Sequence, residues 1–365
     1  MTTYDEILKK LDDIDPIVYG KSRNFIGGAV TKLSPYISRG VIDTTMVLGH
    51  LINKGFTYFQ LEKFIQQLAW REYFQRVWQL KGDQINFDLK QDQQARVQKG
   101  LPQSLLNAKT EIHAIDNAIN LLHSEGNMHN HMRMYTAFLA CNLASFHWRD
   151  PARWMYYHLL DGDWASNALS WQWVAGTFSN KKYIANQDNI NNYTKTVQHR
   201  SYLDCSYEAL AELDTPQILI ERAEPVLNTV FPDTSPLQLN PDLPVLIYNY
   251  YNLSPTWRKD EKANRILLLE PSAFEQHPVS EKCIDFVMDL SKNIEGLQVF
   301  VGSFDELKNA VGKSTIYYRE HPLNNHYVGH QDERTWMIDD QKNAGGSFFA
   351  FWKKSERGIM KTYFG

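Results

Sequence analysis

Four segments in the first half of the chain carry side chains whose types and spacing could do chemistry. Residues 19–36, YGKSRNFIGGAVTKLSPY, combine a glycine pair, hydroxyls at Thr31 and Ser34, and Pro35 opening a helix. Hydroxyls and free backbone N–H groups at a helix start can hold phosphate. In QQLAWREYFQRVW (66–78), Gln67, Trp70 and Arg71 stand at i, i+3 and i+4 and so share one helix face, a surface able to stack a flat group. GNMHNHMRMY (126–135) puts Asn130, Arg133 and Met134 on one face in the same way. HLLDGDWASNALSWQWVAG (158–176) sets Asp161 and Asp163 astride a glycine, followed by Asn167, Trp171 and Trp173. Residues two apart on a helix point in different directions, so Trp171 and Trp173 must meet different surroundings. His129 and His131 flank Asn130, but the pair lacks the context of a metal site and no metal is expected.

The elements that must position these groups follow from periodicity. A helix is expected from Thr57, where Thr57 and Gln60 fit a capping box and Leu61, Phe64, Ile65 and Leu68 make an apolar stripe. Further helices are expected at 110–124, 128–146, 151–161 and 206–213. Pro225, Pro232, Pro236, Pro241 and Pro244 then mark a linker. Beyond it, strands at 245–251, 265–270, 297–301 and 315–318 alternate with helices at 280–294 and 304–311, the pattern of a small, mainly parallel α/β layer. The aromatic tail holding Phe348, Phe349, Phe351 and Trp352 is expected to dock onto the body.

Composition narrows the function classes. The chain has 365 residues, 43% hydrophobic and 22% charged, which excludes a disordered or collagen-like polymer. No run approaches the ~18 apolar residues of a membrane span, so no membrane partner is expected, and the acidic N-terminal stretch does not read as a signal peptide. Cys141, Cys205 and Cys283 are too few and too far apart for a disulfide framework or an iron–sulfur cluster. These features read as a reduced, cytoplasmic protein, expected as a monomer. The net charge of −4 divides into +4 over residues 1–200 and −8 over 201–365, so the front half permits a phosphate-bearing partner without requiring one. Seven of the ten tryptophans lie between Trp70 and Trp173.

Taken in order, the four segments resemble the flavin-binding domain of the photolyase/cryptochrome family, whose counterparts are TSxLSPY, a WRE segment, MHNRxRM and DGDxxxNxxxWQW. The likeness covers roughly residues 16–195. It implies a mainly α fold: a helical FAD- and DNA-binding domain over 1–224, a linker at 225–244, a reduced α/β domain at 245–344 and a tail at 345–365. It implies that Tyr19, Thr31, Lys32, Leu33 and Ser34, with Arg71 and Asn130, contact FAD. Arg133 and Asp161 would pair beside the isoalloxazine ring, Asp163 would reach the ribityl chain or ring, and Asn167 would face flavin N5. Trp171 and Trp148 match the first two steps of a light-driven electron chain. Gln67, Trp70, Asn130, Met134 and Trp173 match positions around a flipped-out pyrimidine dimer, with Trp70 and Trp173 forming an aromatic wall.

The departures carry information too. Val30 replaces the first hydroxyl of the phosphate run, His131 replaces an Arg, and Leu105 falls where the third tryptophan would stand. The α/β segment follows the flavin domain instead of preceding it, and so short a sheet argues against an antenna chromophore. The resemblance implies light-driven repair of cyclobutane pyrimidine dimers in damaged DNA. The alternatives are a cryptochrome-like blue-light receptor and a (6-4) photolyase, which carries His where Asn130 and Met134 stand here.

Overall fold

The computed structural model describes residues 2–93, 97–179, 181–339 and 344–365. They divide into two units: Met1–Ile17, Thr31–Leu80 and Asn228–Gly365 form one, and Val18–Val30 with Lys81–Leu227 form the other. The architecture is mainly α-helical with a small sheet region.

The first unit is built on a five-stranded, wholly parallel sheet. Across the sheet the strands run Leu297–Val301, Asn264–Leu269, Val245–Tyr248, Ile316–Arg319 and His330–Asp332. The runs VLIY and ILLL are continuous apolar stretches because strands covered on both faces have no solvent side to leave polar. Val245, Ile247, Ile266, Leu268 and Ile316 pack with Phe304, Leu307 and Val311 of the helix Phe304–Val311. The strand His330–Asp332 and the helix Pro271–Gln276 add to the expected elements.

Residues 1–17 and 31–80 belong with this sheet, which corrects the expectation that 1–224 form one domain. The reason is specific pairing. The Tyr4 backbone N–H donates to Asn293 Oδ1 at 2.7 Å. The helix Tyr58–Lys81 buries Trp78 edge-on against His321, ring centroids 4.9 Å apart. Earlier on the same helix, the buried carboxylate of Glu72 accepts the backbone N–H groups of Met337 and Ile338 at 2.7 and 2.9 Å, and the Thr44 hydroxyl also donates to it. At the start of that helix only one arm of the expected capping box forms: Gln60 Oε1 accepts the Thr57 N–H at 2.8 Å. The aromatic tail is the helix Phe348–Phe364 of the same unit.

The second unit is helical. Its helices include His113–Glu125, Asn130–Phe138, Arg149–His158 and Trp164–Ala175. The expected single helix over 128–146 instead starts at Asn130 and widens into a π-helical turn at Leu139–Leu143. The glycine pair at 27–28 is turn chemistry: a Cβ on Gly28 would lie 1.9 Å from the Ser22 carbonyl oxygen. Among the described residues no helix is long and apolar enough to cross a membrane.

Burial pushes the Glu72 carboxyl up from 4.5 to about 7, against the pull of the Thr44 and backbone hydrogen bonds. The unfolded chain loses this proton near pH 4.5, whereas the folded chain keeps it to about pH 7. Stability from this group is therefore full below the lower value and is lost as pH rises through the upper one. Relative to Glu72→Gln, the native chain should lose up to ~3 kcal/mol between about pH 5 and about pH 8, at ~1.4 kcal/mol per unit. Urea unfolding of both proteins at the two pH values checks this; parallel pH profiles would contradict it.

Candidate flavin and lesion site

Two helix starts organise the site in the helical unit. The first is that of Asn130–Phe138, where His129 Nδ1 accepts the His131 N–H at 3.3 Å. One turn in, Arg133 Nε donates back to the Met128 carbonyl at 2.8 Å, which aims the guanidinium beyond the helix. Its Nη2 then lies 2.9 Å from both carboxylate oxygens of Asp161. The second is that of Trp164–Ala175. Asp163 Oδ1 accepts the Ser166 N–H at 3.0 Å and caps the helix. The two acids astride Gly162 thus divide their work, one pairing with Arg133 and the other starting the helix that carries Asn167, Trp171 and Trp173.

Asn167 is 8% exposed, and its Nδ2 donates to the Ala152 carbonyl at 2.9 Å. That bond fixes the amide and leaves Oδ1 as its acceptor. Trp171 is 2% exposed and Trp173 39%, the separation that two-residue spacing requires. Trp173 leans on Tyr183, ring centroids 5.9 Å apart. Trp148 is fully buried and its Nε1 donates to Asp88 Oδ1 at 2.6 Å. Asp88 escaped sequence reasoning, since nothing in the pattern ties it to an indole 60 positions away. Asn130 is exposed, with Nδ2 3.8 Å from Met134 Sδ, so these two lie side by side on the outer face of their helix. Tyr19 is half-buried in the helix Pro16–Ser22, and burial raises its phenol above the ordinary value. Leu105 is buried in the short helix Gln103–Leu106, where the third tryptophan was missing.

The two histidines flanking Asn130 are committed to backbone. His129 Nε2 lies 3.0 Å from the Arg23 carbonyl, and His131 Nδ1 2.6 Å from that of Asn24. Burial holds both imidazoles below their ordinary pKa. His131 also stacks on Tyr193 at 4.5 Å.

The remaining expected contacts lie in the sheet unit. Leu33 is buried, with Lys32 and Ser34 exposed on either side. Lys32 has φ 54°, a left-handed turn that brings Ser34 to the head of the helix Ser34–Ser38. The Thr31 hydroxyl oxygen lies 3.4 Å from the Leu33 N–H it caps. Gln67 is half-buried on the long helix. Arg71 donates to Ser38 Oγ at 3.2 Å.

Trp70 differs from the expected open wall. Phe348 of the C-terminal helix lies flat against it, ring centroids 3.6 Å apart and 11° between planes, and Phe74 and Phe349 close in at 5.3 and 6.3 Å. An indole with one face already stacked behaves as packing between two helices.

Residues 64–223 match the FAD binding domain of DNA photolyase. The deoxyribodipyrimidine photo-lyase of Streptomyces griseus is 32% identical over 152 residues, 41% of this chain and 33% of that one. That of Alkalihalophilus pseudofirmus is 28% identical over 156 residues, 40% and 31% of the two chains. The chain spans about a third of the length of the curated relatives it matches. Among solved structures it is similar to a Synechocystis cryptochrome, with 22% identity and TM-score 0.44 over 52% of this chain and 43% of that one. A photolyase from Sulfolobus tokodaii gives 20% identity and TM-score 0.45 over 52% and 44%. The likeness to the FAD binding domain of DNA photolyase thus lies in residues 64–223.

If Trp70 is held by Phe348, a double-mutant cycle of Trp70→Ala and Phe348→Ala should show a coupling of about 0.5–1.5 kcal/mol in urea unfolding. Additive losses would return Trp70 to the role of an open stacking surface.

Proposed function

We propose that the chain binds FAD and uses light to repair cyclobutane pyrimidine dimers in DNA. The observation that carries this reading is the Arg133–Asp161 pair, set beside the helix of Asn167 by the Asp161-Gly162-Asp163 turn. The residues present fit a flavin. A half-buried guanidinium–carboxylate pair offers both signs of charge to a polar ring edge, and the anchored Asn167 offers an acceptor oxygen beside it. When bound, FAD would supply light absorption and the electron delivered to the lesion.

Within this reading the chain's own residues bind and orient. In the helical unit Tyr19 would contact the cofactor, and Arg133, Asp161, Asp163 and Asn167 would hold its ring and ribityl edges. Trp171 and Trp148 are the electron carriers of the proposal. Asp88 accepts the Trp148 indole N–H and would stabilise a positive charge there. Asn130, Met134 and Trp173 would meet the extruded bases. Extrusion costs a few kcal/mol, least for a damaged pair, and stacking on an exposed indole returns about 1–3 kcal/mol per base.

A second reading, light sensing without repair, is favoured by one observation: Phe348 covers the Trp70 face that a base would stack on. Irradiated oligothymidine separates the two. On the repair reading, blue light with FAD and reductant restores the oligonucleotide and darkness does not. Trp173→Ala then weakens its binding by about 1–3 kcal/mol, while thermal stability barely moves. A yellow, light-responsive protein that leaves the dimers intact would move the assignment to light sensing.

A further inference from the structure

The parallel sheet assembles a second polar site, wholly within its own unit. Strand order reverses between Val245–Tyr248 and Ile316–Arg319, and in open parallel sheets ligands bind outside the carboxyl ends of the strands at such a reversal. A cavity of about 100 Å³ lies there, lined by Asn252 after the first strand and by Arg319 and His321 at the end of the second. Arg71 of the helix Tyr58–Lys81 and Arg334 complete the cationic side.

What distinguishes this cavity is buried hydrogen-bonding capacity that no described residue satisfies. His321 is 5% exposed and clamped between rings, stacked on Tyr251 at 4.5 Å and edge-on to Trp78 at 4.9 Å. Its Nδ1 accepts the Leu323 N–H at 3.2 Å, so the neutral ring carries its proton on Nε2, and Nε2 has no partner. Asn252, also 5% exposed, has neither a donor for Oδ1 nor an acceptor for Nδ2. Arg319 spends Nη2 on Thr335 Oγ1 at 3.1 Å, but its buried Nε is unsatisfied. Orphaned donors of this kind are rare in folded proteins because burial takes their water away.

The acids around the cavity are committed elsewhere. Glu320 accepts Arg334 Nε at 2.7 Å, Glu72 accepts the Met337 and Ile338 N–H groups, and Asp43 accepts the Met46 N–H at 2.8 Å. Burial, and after it the neighbouring Arg334, His277, Arg71 and Arg39, holds the His321 imidazole well below its ordinary pKa. The cavity is thus lined by residues whose orphaned donors the surrounding carboxylates do not take up.

We propose that this cavity binds a phosphate-type oxyanion, either inorganic phosphate or the phosphate group of a small monoester. Its oxygens would accept from His321 Nε2, Arg319 Nε and Asn252 Nδ2, and a protonated oxygen would donate to Asn252 Oδ1. The proposal does not rest on the flavin reading.

Calorimetric titration of the full chain tests it, with potassium phosphate in one arm and glycerol 1-phosphate in the other, each against chloride of matched ionic strength. One site per chain is expected, weakened at least ten-fold by Arg319→Met and by His321→Phe and less by Arg319→Lys. Tighter binding of one ligand identifies whether the free anion or the ester is the source. Arg319 is partly exposed, so its variants decide the matter even where His321→Phe does not fold. No binding in either arm, or equal affinity in Arg319→Met, would overturn the proposal. So would loss of phosphate binding on loading the protein with FAD, since the cavity would then belong to that cofactor's phosphates.

Discussion

The contact between Arg133 and Asp161 is the constraint on which the helical unit's site depends. A guanidinium and a carboxylate withdrawn from water must find each other or pay for separate desolvation. Here the pairing ties the first turn of one helix to the turn that starts another. Asp161 cannot reach Arg133 unless the chain bends sharply at Gly162, where a Cβ would meet the Leu159 carbonyl at 2.8 Å. That bend delivers Asp163 to the helix N-terminus, and the cap fixes where Asn167, Trp171 and Trp173 fall. One charge pair thereby sets the positions of the residues proposed for chemistry.

The sheet unit obeys the same rule with a different outcome. Glu72 is buried but finds three donors, so the long helix is joined to the 337–338 backbone at the cost of a raised carboxyl pKa. Asn252, Arg319 and His321 lie close to it in the fold and are not satisfied in this way. Fully paired buried groups hold elements together, whereas an unpaired cluster at a strand-order reversal is the signature of a site.

Legibility in the sequence followed the range of the interactions. The helix from Thr57, the strand 297–301 and the helix 304–311 were readable because apolar period and capping residues are local. The Arg133–Asp161 pair was expected from the resemblance, whereas Asp163 was expected only as a flavin contact and not as the helix cap it forms. The stacking of Phe348 on Trp70 was not legible, because the two lie 278 positions apart and no periodicity connects them. The grouping of residues 31–80 with the sheet was hidden likewise, because it rests on Glu72, Trp78 and partners beyond residue 320. Asp88, Asn252 and His321 carried no motif at all.

The central claim is that the Arg133–Asp161 site belongs to a flavin. The most direct measurement is FAD uptake by the purified chain, read by visible absorbance and by protein-to-flavin ratio. The account predicts a yellow protein with one non-covalent FAD per chain, and at least ten-fold weaker uptake in Asp161→Ala with the helical content unchanged. A colourless protein that takes up no added FAD would contradict it.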